Sequence, residues 1–247
     1  MMNSSPYVAL VTGAARRIGA ECVRHLHQSG LNIVLHYRNS DKEAKHLAQE
    51  LNQSRPDSVE LVQGDLLEIA SIPGLIKQAI AHWGRLDVLV NNASTFYPTP
   101  VGEITDSDWD TLIGPNLKAP LFLAQAAADE LRRNQGCIVN IADIHAERPL
   151  KNYPVYSIAK AGLVMLTKSL ARELAPEIRV NAVAPGAILW PEAPHHKAEH
   201  QAIINRTALK REGEPADIAR TVEFLVNNAP YITGQIIIVD GGRTLAN

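Results

Sequence analysis

The sequence predicts an α/β protein: a doubly wound parallel sheet of about seven strands, flanked by helices on both faces. Three observations carry that expectation. Short β-branched runs alternate with longer helical patterns along the 247 residues. The strand runs are almost continuously apolar, as expected of strands buried on both faces in a parallel sheet. No linker, composition shift or internal repeat divides the chain, so a single domain spanning 1–247 is expected.

The elements follow in order. Val8 to Thr12 reads as a first strand and Ile18 to Ser29 as a helix, closed by Gly30 where a left-handed cap is favoured. Asn32 to Tyr37 is a second strand, followed by a polar helix over Asp41 to Ser54. Val59 to Gln63 and a helix over Ile72 to Trp83 come next, then the strand Val88 to Asn91. A helical stretch over Asp106 to Arg133 carries a break near Gly114-Pro115, because proline lacks the N–H the ladder needs. Cys137 to Ile141 is the fifth strand, Tyr153 to Leu174 a long Ala/Leu-rich helix, and Arg179 to Ala184 the sixth strand. Pro185 to His200 reads as irregular, Pro215 to Val226 as helix, and Ile236 to Val239 as the closing strand.

Composition excludes several classes. With 24 Lys and Arg against 26 Asp and Glu, the chain has no electrostatic footprint for nucleic acid and no basic face for an anionic membrane. Cys22 and Cys137 are far apart, so structural thiols are expected rather than disulfides or a zinc site. Met1 to Tyr7 has no signal-peptide pattern, and no apolar run approaches the roughly 20 residues that span a bilayer. A cytoplasmic location is the resulting expectation.

Ligands of doubly wound sheets bind beyond the carboxyl ends of the strands. After the first strand comes Thr12-Gly13-Ala14-Ala15-Arg16-Arg17-Ile18-Gly19, opening a helix. Small residues there let the backbone approach a pyrophosphate, and the helix start favours its charge. Arg17 stands where such a loop would carry another glycine. The second strand ends His36-Tyr37-Arg38-Asn39-Ser40, without the acidic residue that would hold an NAD ribose. Arg16, Arg38 and Ser40 suit a 2′-phosphate instead, so NADPH is the expected cofactor, unless Arg38 is only a solvated loop cation. Asp65, followed by Leu66 after the third strand, fits either the adenine amino group or a helix cap.

On the helix after the fifth strand, Tyr156 and Lys160 lie one turn apart on one face. A cation near a phenol favours the phenolate, so Lys160 is expected to lower the Tyr156 pKa and make it a usable proton donor or acceptor. The Thr12-Gly13 loop, Asn91-Asn92-Ala93, Asn116, Tyr156/Lys160 and Pro185-Gly186 occur in an order that resembles the short-chain dehydrogenase/reductases, a Rossmann-like family, over essentially the whole chain. That resemblance implies that Tyr156 is the proton donor and that Lys160 binds the nicotinamide ribose. It also implies that Asn116 holds a water linking the lysine to solvent, Asn91 helps hold the cofactor, and Pro185 and Gly186 line the nicotinamide.

One position departs from the family pattern. Where its members usually carry a catalytic serine, this chain has Asp143. A carboxylate would repel the oxyanion formed when a carbonyl is reduced, and would suit a substrate that becomes cationic on nitrogen. With Arg17, His36-Tyr37, Ser94 and Phe96, this resembles the pteridine reductase branch. The resemblance implies catalysis by Asp143, Tyr156 and Lys160, and a pterin or folate sandwiched by Phe96 and touched by Arg17 and Ser94. A lid over about 186–205 would bring Leu189 and Trp190 to the substrate. His195, His196 and His200 read as loop histidines, and no metal is expected. The resemblance further implies a homotetramer. Rival readings are a carbonyl reductase and a noncatalytic NADP sensor.

Overall fold

A computed structural model describes residues 6–188 and 197–245, without the side chains of 197–200 and 203. Seven parallel strands form one sheet in the order β3-β2-β1-β4-β5-β6-β7. They are β1 Val8–Val11, β2 Asn32–Tyr37, β3 Val59–Gln63, β4 Val88–Asn91, β5 Cys137–Ile141, β6 Arg179–Pro185 and β7 Ile236–Val239. Every residue of β1, β2, β4 and β5 is buried, which is why these segments are apolar without alternation.

The helices are α1 Arg17–Gln28, α2 Asp41–Ser54, α3 Ile72–Ala81, α4 Asp106–Ile113, α5 Ala119–Arg133, α6 Pro154–Glu173, α7 Lys197–Arg206 and α8 Pro215–Asn227. The period of two in β1 divides the core. Ala9 and Val11 pack with Val23 and Leu26 of α1, Leu47 of α2 and Val222 of α8. Val8 and Leu10 face Leu75 and Ile76 of α3 and Leu123 and Leu131 of α5. Among the described residues, no helix is long and apolar enough to cross a membrane.

Strand order reverses between β1 and β4, and the crevice above that switch point is where the fold opens. The break foreseen at Gly114-Pro115 is a widened π-turn over Gly114–Lys118, which joins α4 to α5 without ending the helix. The irregular stretch expected over 185–200 needs correction at both ends. Pro185 closes β6, paired with Val239, and Lys197 already begins α7, since Lys, Ala, Glu and Gln favour helix once past the prolines. Leu189, Trp190, His195 and His196 lie outside the described residues, and so does the side chain of His200.

Candidate active site

The turn after β1 is built around Gly13, whose φ of +60° suits glycine and whose Cα faces Ala93 so closely that an added Cβ would lie 2.9 Å from the Ala93 Cα. Thr12 Oγ1 accepts from the Asn92 and Ala93 amides at 3.0 and 3.1 Å. The Asn92 side chain donates back to the carbonyls of Thr12 and Gly13 at 2.8 and 3.0 Å. The two loops at the switch point are thus locked together. Arg17 follows at a φ of +54°, a left-handed backbone that costs an arginine energy.

His36, buried on β2, fastens this turn from below. Its Nδ1 accepts from the Gly13 amide at 3.2 Å, so its Nε2 carries the hydrogen and donates to the Gly64 carbonyl at 3.2 Å. Burial pushes its pKa down to about 4, opposed by the Gly64 bond and the Asp65 charge. The ring is therefore neutral and joins the turn after β1 to the loop after β3.

Beyond β2 the crevice is lined by cations. Arg16, at the start of α1, donates to Ser40 Oγ at 2.6 Å and lies 3.5 Å from Glu43. Arg38 lies 3.8 Å from Asp65, whose Oδ1 accepts from the Leu67 amide at 3.0 Å. The Tyr37 hydroxyl donates to Asp41 at 3.1 Å.

At the far end, Asp143 caps a short 3₁₀ turn by accepting from the His145 amide through Oδ1 at 2.8 Å. Its Oδ2 accepts from the Tyr156 hydroxyl at 2.7 Å. Burial, then the Asp143 charge and hydrogen bond, hold the Tyr156 pKa well above the usual phenol value, the opposite of the lowering expected from Lys160. Lys160 is buried and donates to the Ile141 carbonyl at 2.8 Å, with its ammonium 5.7 Å from the Tyr156 ring centre. Burial pushes it down to about 8, although Asp143 pulls the other way. Phe96 stacks on Tyr153 at 4.5 Å and meets the Tyr156 ring edge-on at 4.8 Å.

A continuous cavity of about 710 Å³ joins the two ends, a volume usual for ligand clefts. Of the residues singled out from the sequence, Gly13, Arg16, Arg17, Ile18, Gly19, His36, Tyr37, Arg38, Asn39, Ser40, Asp65, Leu66, Ala93, Ser94, Phe96, Asp143, Tyr156, Lys160, Pro185 and Gly186 all line it.

Two do not. Asn91 lies behind the wall: β4 and β5 put it directly opposite Asn140, and its side chain donates there at 2.8 Å. The Asn116 side chain, also buried, is fully engaged, donating to the Thr95 and Leu112 carbonyls at 2.8 Å each and accepting from Ser94 Oγ at 2.7 Å. It anchors the loop after β4 to the π-turn, and its amide is already committed to those partners.

Ala15, Gly64, Leu67, Asn92, Thr95, Pro115, Ile141, Ala142 and Ile188 also line the cavity, although the sequence had assigned none of them a role of its own. Asn92 had a legible signal, being the more cleft-ward member of its Asn-Asn pair at the end of a strand.

The model of a short-chain dehydrogenase family, described as enoyl-(acyl carrier protein) reductase, matches residues 13–244. Pteridine reductase 1 of Leishmania tarentolae is 38% identical, with 99% of each chain covered. The 3-oxoacyl-[acyl-carrier-protein] reductase FabG of Staphylococcus aureus (strain Mu50 / ATCC 700699) is 36% identical over 95% of this chain and 96% of its own. The short chain dehydrogenase mdpC of Emericella nidulans is 32% identical over 95% and 94%. A parallel seven-stranded sheet, a glycine turn after β1 and a Tyr156/Lys160 pair in one crevice agree with these matches, and the chain belongs to the short-chain dehydrogenase/reductase family of nicotinamide-dependent oxidoreductases.

Proposed function

We propose that this protein is an NADPH-dependent reductase of pterins, converting the C=N bond of a dihydropterin or dihydrofolate to the tetrahydro form. The observation that carries this reading is the carboxylate of Asp143 on the Tyr156 hydroxyl.

The residues present fit NADPH. Gly13, Ile18 and Gly19 line the cavity where the turn after β1 opens into α1, the close approach of Gly13 to Ala93 leaves no room for a side chain in that turn, and Arg16, Ser40 and Arg38 offer donors for a 2′-phosphate. When bound, NADPH supplies a hydride. Lys160 would bind the nicotinamide ribose, Pro185 and Gly186 would line its ring, and Phe96 would hold a flat heterocycle by stacking.

Reduction of C=N adds a hydride to carbon and a proton to nitrogen. Tyr156 keeps its proton because burial and Asp143 both oppose the phenolate, so a donor is loaded at neutral pH. A donor so held is a weak acid. An imine nitrogen, much more basic than a carbonyl oxygen, is the acceptor that a weak acid can serve. As positive charge gathers on that nitrogen, the Asp143 carboxylate stabilises it. The same carboxylate would repel the oxyanion that develops when a ketone is reduced.

The FabG relatives, at nearly the same identity, favour a second reading as a carbonyl reductase. NADPH consumption measured with dihydrobiopterin, dihydromonapterin, dihydrofolate, a β-ketoacyl thioester and simple ketones separates the two. The pterin reading expects turnover of at least one dihydropterin or dihydrofolate, and fails if only carbonyl substrates react.

A further inference from the structure

We infer that Glu43 sets how tightly this protein holds a 2′-phosphate, by competing with it for Arg16. The role given to Glu43 rests on the NADPH reading above and concerns the far end of the cleft from the chemistry.

Arg16 leads α1 from the β1 turn, and its guanidinium reaches across to the start of α2. There it donates to Ser40 Oγ at 2.6 Å and lies 3.5 Å from a Glu43 carboxylate oxygen. Ser40 is the N-cap residue of α2, yet its hydroxyl makes no bond to the helix's own amides. The first turn of α2 therefore has no side-chain cap and carries the carboxylates Asp41 and Glu43, while Ser40 just before it lines the cavity with Arg16 and Arg38.

An arriving 2′-phosphate would find the donors it needs, and also a carboxylate near each guanidinium, Glu43 at 3.5 Å from Arg16 and Asp65 at 3.8 Å from Arg38. Glu43 lies in the first turn of α2, which keeps its backbone, though not its exposed carboxylate, fixed beside Arg16. Both partners are well exposed, at 63% and 45% of their side-chain surface, so the ion pair is worth little to folding. Its effect falls on the ligand: the phosphate must displace Glu43 from Arg16 or share the guanidinium with it at close range. Weaker capture suits an enzyme that must let the oxidised cofactor leave in each cycle, since product release often limits turnover.

The test is calorimetric titration of the full-length protein with 2′,5′-ADP and with 5′-AMP, for wild type and Glu43→Gln. Glutamine keeps the size and helix propensity and removes the charge. The expected result is 2′,5′-ADP binding tightened about fivefold, 5′-AMP binding unchanged, and a gain that shrinks in high salt. Unchanged or weakened 2′,5′-ADP binding would overturn the role of Glu43, as would equal tightening of both ligands, and the NADPH reading would stand. Equal wild-type affinity for the two ligands would overturn the NADPH reading, and the role of Glu43 with it.

Discussion

The Tyr156 hydroxyl donates to Asp143 at 2.7 Å, and both residues face the cavity that holds Lys160. The phenol is held protonated, and the ammonium is pushed down to about 8.

Lys160 should impose an alkaline limit. Burial lowers it from 10.5 to about 8, so it is charged below that pH, and in the role proposed for it would hold the ribose less well above it. Between pH 8 and 10.5 the unfolded chain binds a proton that the folded chain does not, so this group's contribution to stability rises with pH across that window. The kcat/KM profile should fall above about pH 8. Lys160→Met should lose activity yet raise Tm by about 3 °C or more, because a buried charge is removed. A lower Tm would show that the bond to Ile141 outweighs the burial cost.

His36 should act through the Gly13 turn. His36→Leu would orphan the Gly13 amide and the Gly64 carbonyl, costing about 1–3 kcal/mol and weakening NADPH binding about tenfold. Asparagine places an oxygen near the position of Nδ1, so His36→Asn should retain more affinity than His36→Leu. Since the folded pKa is lowered from 6.5 to about 4, the contribution of His36 is fully present above pH 6.5 and lost as pH falls towards 4. Fluorescence titration with NADPH and thermal melts from pH 4 to 7 check both points. Equal binding by all three proteins would remove His36 from the site.

Arg17 should show a trade between stability and function. Its φ of +54° is natural for glycine, so Arg17→Gly should leave stability unchanged or raise it by up to about 1 kcal/mol, while raising KM for the pterin. Thermal melts and steady-state kinetics on the same samples decide this. A clear loss of stability would mean that the guanidinium contributes more to folding than the strained backbone costs.

Much of this molecule was legible in its residues. Strands β2 to β5 and β7 coincide with their apolar runs because each run is short, β-branched and bounded by turn formers. The cleft residues were legible because a parallel sheet puts its ligands at strand ends, and Gly13, Arg16, Ser94 and Asp143 all sit there. What the sequence hid depends on side-chain partners across the sheet. Nothing local to Asn91 says that it points to Asn140 rather than into the cleft. His36 stands two positions from Arg38, on the same side of an extended strand, yet it serves the backbone below. Asn116 reads as a polar residue beside a proline, and only the π-turn reveals that its amide is committed to Thr95 and Leu112.

In the proposed function, the Asp143 carboxylate fits this site to a C=N bond. The most direct measurement is NADPH consumption by wild type and Asp143→Ser, with a dihydropterin and with a β-ketoacyl thioester. Wild type should turn over the pterin, and the serine variant should lose about 100-fold of that activity while keeping its NADPH affinity. Undiminished pterin reduction by Asp143→Ser would contradict this reading.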